Sequence, residues 1–178
     1  YVSLIRGTRY KGQLVDRTCV QMDGVDDRMR TAAFTLNQPL SVYASVNVYN
    51  NQVGGAHRVL IDGLNAANSI YFPNSGNTLG VLATSVLQGT FNAFKKFCQI
   101  SAISNAGSSS ISLNGATLAT GAVGSTNPGG ITIGSYRNGL AEWINASFGA
   151  VYVTNKADNT QQQADLNNYL RGIQNKLY

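Results

Sequence analysis

The stretch "LSVYASVNVYN" at residues 40–50 alternates two kinds of side chain along its length. One face of an extended chain would carry small aliphatic groups and the other mainly polar or aromatic groups: Val42, Ala44, Val46 and Val48 on the first, and Tyr43, Ser45, Asn47 and Tyr49 on the second. A period of two is typical of a β-strand with one buried face. The stretch therefore predicts a half-buried strand.

Strand character extends over most of the chain. Seven further stretches are rich in β-branched or aromatic residues and are bounded by Gly, Asn, Pro or Ser: 57–63, 69–72, 78–84, 94–104, 109–120, 129–135 and 146–155. Within 109–120, Asn114 and Gly115 both tolerate a positive φ and predict a tight hairpin turn. Many short strands separated by turns indicate an antiparallel sandwich or barrel.

The last segment, "TQQQADLNNYLRGIQNKLY" from Thr160, has a different period. Its apolar side chains recur at helical spacing: Leu166, Tyr169, Leu170, Ile173 and Leu177. Thr160 with Gln163 matches a helix-capping box. The sequence predicts one amphipathic helix over 160–176 at the end of an otherwise all-β chain.

Length and composition favour one domain over residues 1–178, since 178 residues with 43% hydrophobic content suffice for one buried core. The first residue is Tyr1, and we expect a mature product or a fragment of a longer chain.

Charged residues make up 12%, a balance found in β-rich extracellular and virion proteins. The basic residues are scattered, so no nucleic-acid partner is predicted, and no apolar run approaches the roughly 18 residues of a membrane span.

The two cysteines, Cys19 and Cys98, are far apart and lack the spacing of a zinc site. They form either one long-range disulfide or two free thiols. Free thiols are favoured because a domain of this size needs no covalent staple.

Five short motifs occur in a particular order along the chain. They are "VQMDGVDD" (20–27), "ISLNG" (111–115), "ITIGSYRNG" (131–139), "FGAVYVTN" (148–155) and "LNNYLRGIQNKLY" (166–178). In this order the chain resembles the concanavalin A-like lectin/glucanase domains of the LamG-like group, in the version found in phage structural proteins, with Met22 where that group often has an aromatic residue. The resemblance implies a jelly-roll sandwich of two antiparallel sheets with six or seven strands each. Residues 50–105 carry no motif of the group.

The acidic stretch "DGVDD" holds Asp23, Asp26 and Asp27 within five residues. In the resemblance it is a structural turn, in which Asp23 and Asp27 accept backbone N–H bonds and Gly24 takes a shape that other residues resist. A calcium loop and a catalytic carboxylate pair are the alternatives. The turn is favoured because the spacing of a calcium loop is missing, so no metal or cofactor is predicted and calcium stays the alternative.

Catalysis is not predicted. Glucanases that the chain resembles carry "ExDxxE", whereas this chain has a single glutamate, Glu142, with no acid nearby in sequence. The single histidine, His57, has no "GxSxG" nucleophile motif to serve. Trp143 is more typical of core or edge packing than of a sugar-stacking ring.

The resemblance implies a non-enzymatic structural protein of a phage virion: a capsid decoration, head fibre or tail component. Its partners would then be other virion proteins, in a homo-oligomer or a larger assembly. The alternative is a carbohydrate-binding adhesion module that recognises a host surface glycan, on a virion or secreted. For that alternative we expect contacts from residues that combine flat rings with hydrogen-bond donors, namely Arg58, Tyr71, Tyr136, Arg137 and Asn138.

Overall fold

The computed structural model describes residues 19–50, 57–65, 68–73, 77–137 and 141–176, with the backbone alone for Asn50 and residues 173–176. In these residues, twelve strands precede one helix. They are β1 Val20–Asp23, β2 Met29–Arg30, β3 Leu40–Asn50, β4 Arg58–Gly63, β5 Ser69–Phe72, β6 Thr78–Leu82, β7 Val86–Thr90, β8 Phe97–Ser104, β9 Ser109–Leu113, β10 Ala116–Gly121, β11 Ile131–Ile133, β12 Asn145–Thr154 and α1 Thr160–Lys176.

The strands form two six-stranded sheets. Sheet 1 has the order β1-β12-β3-β8-β9-β10, and sheet 2 has the order β2-β11-β4-β5-β6-β7. Every pair of neighbouring strands is antiparallel. The predicted fold class, a jelly-roll sandwich of two antiparallel sheets with one C-terminal helix, is confirmed.

The hydrophobic core fills the space between the two sheets. The aliphatic face of β3, predicted from its alternation, belongs to this core. The core includes an aromatic cluster, with ring centroids 4.9 Å apart between Phe72 and Phe91 and 4.7 Å apart between Phe91 and Phe94. These edge-on rings join β5 to the segment between β7 and β8.

The opposite face of β3 is also buried, so the prediction of a half-buried strand is wrong. Tyr43 is fully buried and packs with Ile103 of β8 and Leu170 of α1. Ser45 and Asn47 on the same face are buried as well. At Tyr43 the reason is that α1 lies against this face of sheet 1.

Helix α1 spans the predicted residues, but its cap lies one position earlier than predicted. The Asn159 side chain accepts a bond from the Gln162 backbone N–H at 3.0 Å, and the Gln162 side chain accepts one from the Asn159 N–H at 3.0 Å. The reciprocal pair is therefore Asn159 with Gln162, and not Thr160 with Gln163. An amide at the N-cap position performs the same role as the hydroxyl that the sequence suggested.

The apolar stripe of α1 is narrower than predicted. Leu170 is 1% exposed and Leu166 packs beside it, whereas Tyr169 is 66% exposed and lies off the stripe. The side chain of Ile173 and all of Leu177 lie outside the described residues.

Asp158 fixes the start of α1 to sheet 1. Its carboxylate accepts hydrogen bonds from the Tyr43 hydroxyl at 3.0 Å and the Thr154 hydroxyl at 3.2 Å, and it lies 3.2 Å from the Lys156 ammonium. Its backbone N–H donates to Ser41 Oγ at 2.9 Å. Burial and the negative charge of Asp158 raise the pKa of Tyr43, so the phenol stays protonated and donates.

The hairpin and the cysteines agree with the sequence. Asn114 and Gly115 have φ values of 53° and 84° and join β9 to β10 in a two-residue turn.

Cys19 and Cys98 are both free thiols. Burial raises the pKa of Cys98 to about 12, and its thiol donates to the Val46 carbonyl at 3.4 Å. No helix in the described part of the chain is both long and apolar enough to cross a membrane.

Candidate binding surface

The loop that contains the predicted site residues Tyr136 and Arg137 contacts the outer face of sheet 2. Val59 and Tyr71 lie opposite each other on β4 and β5 and are buried, but they are not part of the core between the sheets. They therefore face outward. The described parts of the β11–β12 loop are residues 134–137 and 141–144, and Arg137 contacts this face through Thr132 and Asp62. The Tyr136 N–H donates to the Ala141 carbonyl at 3.1 Å.

Asp62, at the end of β4, ties this loop to the sheet. Its Oδ1 accepts bonds from the Ser69 hydroxyl at 2.6 Å, the Gly63 N–H at 2.8 Å and the Asn68 N–H at 3.0 Å. Its Oδ2 accepts the backbone N–H of Arg137 at 3.0 Å. One fully buried carboxylate thus joins β4, β5 and the β11–β12 loop.

The surroundings of Asp62 suit its ionised form. All four partners donate, so a proton on either carboxyl oxygen would face a donor. Burial raises the pKa of this carboxyl, and each of the four hydrogen bonds limits that rise. The negative charge is therefore used to hold backbone and hydroxyl groups inside the protein.

Tyr136 and Arg137 form a stacked pair on the anchored loop. The guanidinium carbon of Arg137 lies 4.7 Å from the centroid of the Tyr136 ring, within the range of a cation–π contact. The Arg137 carbonyl also accepts a bond from the Thr132 hydroxyl at 3.4 Å. Both side chains are half-buried. The loop therefore presents a ring and a guanidinium in one fixed arrangement.

The other predicted site residues lie at the start of β4 and on β5. Tyr71 is 5% exposed, its hydroxyl accepts a bond from Gln88 at 3.3 Å, and the His57 ring packs edge-on at 5.2 Å. A Cβ added at Gly80 would lie 2.8 Å from the Tyr71 ring, so the ring is packed against the sheet and offers little surface to a ligand. Arg58 is half-buried and donates to the His57 carbonyl at 3.3 Å.

A backbone hydrogen bond connects the β11–β12 loop, which carries Tyr136 and Arg137, to β4, which carries Arg58. The Val59 N–H, next to Arg58, donates to the Glu142 carbonyl at 3.0 Å, so the end of the β11–β12 loop is fixed to the start of β4. Asn138, the fifth predicted residue, lies outside the described residues. A role of these residues in carbohydrate binding stays a prediction.

Asp62 was not predicted as a site residue, although the sequence carries a signal for it. It is the one acidic residue in the strand "HRVLIDG", which is otherwise mostly apolar. A charge in such a strand requires several hydrogen-bond partners when it is buried. Their identity could not be predicted, because Ser69 and Arg137 come from separate elements.

The "DGVDD" segment forms the predicted turn. Asp27 Oδ2 accepts the Asp23 N–H at 3.0 Å, Asp23 Oδ1 accepts the Val25 N–H at 2.8 Å, and Gly24 has a φ of 83°. The carboxylates of Asp23, Asp26 and Asp27 are exposed and offer oxygens within 4.8 Å of one another. The calcium alternative stays a prediction.

The turn also supports the β11–β12 loop. Gly134, the first residue of the loop, has a φ of 89°, and a Cβ there would lie 3.1 Å from the Asp27 carbonyl oxygen. The acidic turn and the loop are therefore in close backbone contact, which explains a glycine at this position.

Comparison with known proteins gives similarity in fold alone. No family model matches the chain, and no curated protein matches it. A structure of Trypanosoma rangeli sialidase in complex with sialic acid has a TM-score of 0.65 and 13% identity, and the match covers 87% of this chain and 28% of the sialidase. The binding domain of botulinum neurotoxin DC in complex with rat synaptotagmin II has a TM-score of 0.56 and 20% identity, and covers 74% of this chain and 36% of that domain.

A second botulinum neurotoxin binding domain, of serotype D/C, has a TM-score of 0.57 and 20% identity over 78% of this chain. The chain spans only 28–37% of the length of these three structures. The similarity is one of fold, the two-sheet β-sandwich. Identities this low carry no conclusion about activity.

Proposed function

We propose that this chain is a non-enzymatic binding module that contacts a surface glycan through Tyr136 and Arg137. The observation that carries the proposal is the stacked pair itself, with the Arg137 guanidinium 4.7 Å from the Tyr136 ring centroid. Sugar rings have apolar faces flanked by hydroxyls, which suit an aromatic ring beside a set of donors. The buried Asp62 holds this pair in place before any ligand arrives.

The structural neighbours support a binding role. They include a sialidase in complex with sialic acid and a neurotoxin binding domain in complex with rat synaptotagmin II. The same fold thus occurs in proteins that hold a sugar or a protein partner. The transfer of such a role to this chain is part of the proposal.

The acidic residues support a non-enzymatic role. Two of the three clustered aspartates, Asp23 and Asp27, accept backbone bonds within their turn, and all three are exposed. Glu142 is the single glutamate of the chain. Most glycosidases use two carboxylates that face the scissile bond in a cleft.

The virion assignment is a further part of the proposal. It rests on the sequence resemblance to phage structural domains, and it places the module on a virion with other virion proteins as partners. Secretion is the alternative location. Size-exclusion chromatography with light scattering tests this assignment, because a capsid or tail component is expected to form a defined oligomer.

Replacement of Tyr136 by Ala tests the glycan site. We expect binding on a glycan array to be lost while the free energy of unfolding changes by no more than about 0.5 kcal/mol, the usual range for surface positions. Tyr169→Ala is the matched control, since it removes a different tyrosine, which lies on α1 and is 66% exposed. Equal array signals for the wild type and Tyr136→Ala would contradict the site, and loss of the oligomer alone would identify the loop as a subunit contact.

Asp62→Asn tests the anchor of the loop. Three donors converge on Oδ1, so the asparagine oxygen would stay there and its NH₂ group would face the Arg137 N–H. Two donors then oppose each other, and the loop loses its anchor while β4 and β5 stay joined. We expect weaker glycan binding with an unchanged β-sheet spectrum in circular dichroism. Full binding by this variant would mean that the anchor does not position the pair.

A further inference from the structure

The guanidinium of Arg137 stacks on Tyr136 and forms no ion pair in the described part of the chain. In the described part of the chain no acidic side chain pairs with it, and its side-chain N–H groups donate no hydrogen bond. The backbone of Arg137 is held by its N–H bond to Asp62 and by the contact of its carbonyl with Thr132, and its guanidinium stacks on Tyr136. Its side-chain N–H groups are thus left unused by the residues that the structure describes.

Neither Asp62 nor Glu142 forms an ion pair with the Arg137 guanidinium. Asp62 is fully buried, and its two oxygens accept four bonds, of which the one from Arg137 comes from the backbone. Glu142, at the other end of the loop, is linked to β4 through its carbonyl and forms no ion pair with Arg137. Among the described residues the Arg137 guanidinium is therefore left without an ion pair, on a chain with a formal charge of +5.

We infer that the ligand of the Tyr136–Arg137 pair is an acidic saccharide, whose carboxylate binds the guanidinium while the sugar ring packs against Tyr136. A planar guanidinium offers two parallel N–H donors that match the two oxygens of a carboxylate. A donor edge without a protein partner in the described residues, beside an aromatic ring, favours a sugar acid over a neutral sugar. This inference rests on the proposed glycan-binding function and adds the chemical class of the ligand.

Matched pairs of sugars test the inference. Binding to the full chain is measured by isothermal titration calorimetry with trigalacturonic acid and its methyl ester, and with sialyllactose and its methyl ester. Within each pair the sugar rings are the same, and only the acid has a free carboxylate. We expect the acid of at least one pair to bind roughly tenfold or more tightly than its neutral partner, as for a charge-assisted bidentate bond. Sulfated lactose is added to distinguish a sulfate ligand from a carboxylate.

Three variants assign the preference to Arg137. Arg137→Gln should bind the acid and the neutral sugar equally, and Arg137→Lys should keep part of the preference, because it keeps the charge but loses the planar fork. Arg171→Gln removes the same charge from the exposed side of α1 and should behave like the wild type. A uniform loss with both glutamine variants would indicate a general effect of net charge and would overturn the inference.

The outcomes separate the inference from the function on which it rests. Equal binding of acid and neutral sugars, with loss of both in Tyr136→Ala, would overturn the acidic ligand and keep the glycan site. Tighter binding of sulfated lactose than of either carboxylate sugar would also overturn it. Binding of none of these sugars, and no signal on the array, would contradict the glycan site as well.

Discussion

Ser41 and Ser45 occupy the same outward face of β3, and both are fully buried. The Ser41 hydroxyl donates to the Lys156 carbonyl at 2.8 Å and accepts the Asp158 N–H at 2.9 Å. The Ser45 hydroxyl has no partner in the described part of the chain. Burial of a polar group is unfavourable unless a hydrogen bond replaces those to water, so these two serines should contribute oppositely to stability.

Replacement of each serine by alanine measures this difference. Ser41→Ala leaves the Asp158 N–H without its acceptor and should lower the free energy of unfolding by about 1–3 kcal/mol. Ser45→Ala removes an unsatisfied group and should leave stability unchanged or raise it. Urea denaturation of the two variants gives both values. Equal losses would mean that an ordered water satisfies the Ser45 hydroxyl.

Sequence alone does not reveal which of these two serines has hydrogen-bond partners, since each lies between two apolar residues of the same strand. The partners of Ser41 lie more than a hundred residues away in the chain. The same holds for Asp62, whose bond to Arg137 spans 75 residues. Hydrogen bonds of this range depend on how the strands are ordered in each sheet, which periodicity does not reveal.

Helix α1 packs one face against sheet 1 and exposes another. Leu170 is 1% exposed and packs on Tyr43 and Ile103, whereas the adjacent Tyr169 is 66% exposed. Leu170→Asp would bury an unpaired charge and should cost roughly 3 kcal/mol or more, and Tyr169→Asp should cost less than about 0.5 kcal/mol. Thermal and urea unfolding of the two variants compares them. A stable Leu170→Asp variant would mean that α1 is peripheral to the fold.

The acidic turn before β2 allows a test of calcium binding. Asp27 accepts the Asp23 N–H, whereas Asp26 accepts no hydrogen bond in the described part of the chain. If the segment is a turn alone, Asp27→Ala should cost about 0.5–1.5 kcal/mol, Asp26→Ala should be neutral, and a chelator should leave the melting temperature unchanged. A large drop with chelator, abolished in Asp26→Ala, would establish the calcium alternative, because a bound ion stabilises the folded state by mass action.

Most elements could be predicted from local patterns, and the exceptions have physical reasons. Strand β7, Val86–Thr90, was missed because "VLQGT" contains Gln and Gly, and its residues alternate only between half-buried and exposed. Strand β2 has only two residues, too few for a period to be visible. The capping residue of α1 was misplaced by one position because Asn159 and Thr160 are both good caps.

At the scale of the whole molecule, the sequence predicted a sandwich but not how its two sheets meet. The segment without a recognisable motif, residues 50–105, contains β4 to β8, and these strands belong to both sheets. The edge strands β7 of sheet 2 and β10 of sheet 1 come together on one side of the sandwich. This contact protects two sheet edges that would otherwise offer unpaired backbone groups to other chains.

Gly89 on β7 makes this contact possible, and its replacement tests how the sandwich closes. A Cβ at Gly89 would lie 2.5 Å from Leu118 Cβ and 3.1 Å from the Leu118 carbonyl carbon, so the two strands would have to separate. Gly89→Ala should therefore lower the free energy of unfolding by about 1–3 kcal/mol, as for overpacking in a core. Gly107→Ala is the matched control, because a Cβ there meets nothing within 4 Å. Urea denaturation compares the two variants, and aggregation on heating reports whether the freed edges pair with other copies. If both variants unfold alike, the edges of the two sheets are not in the close contact described above.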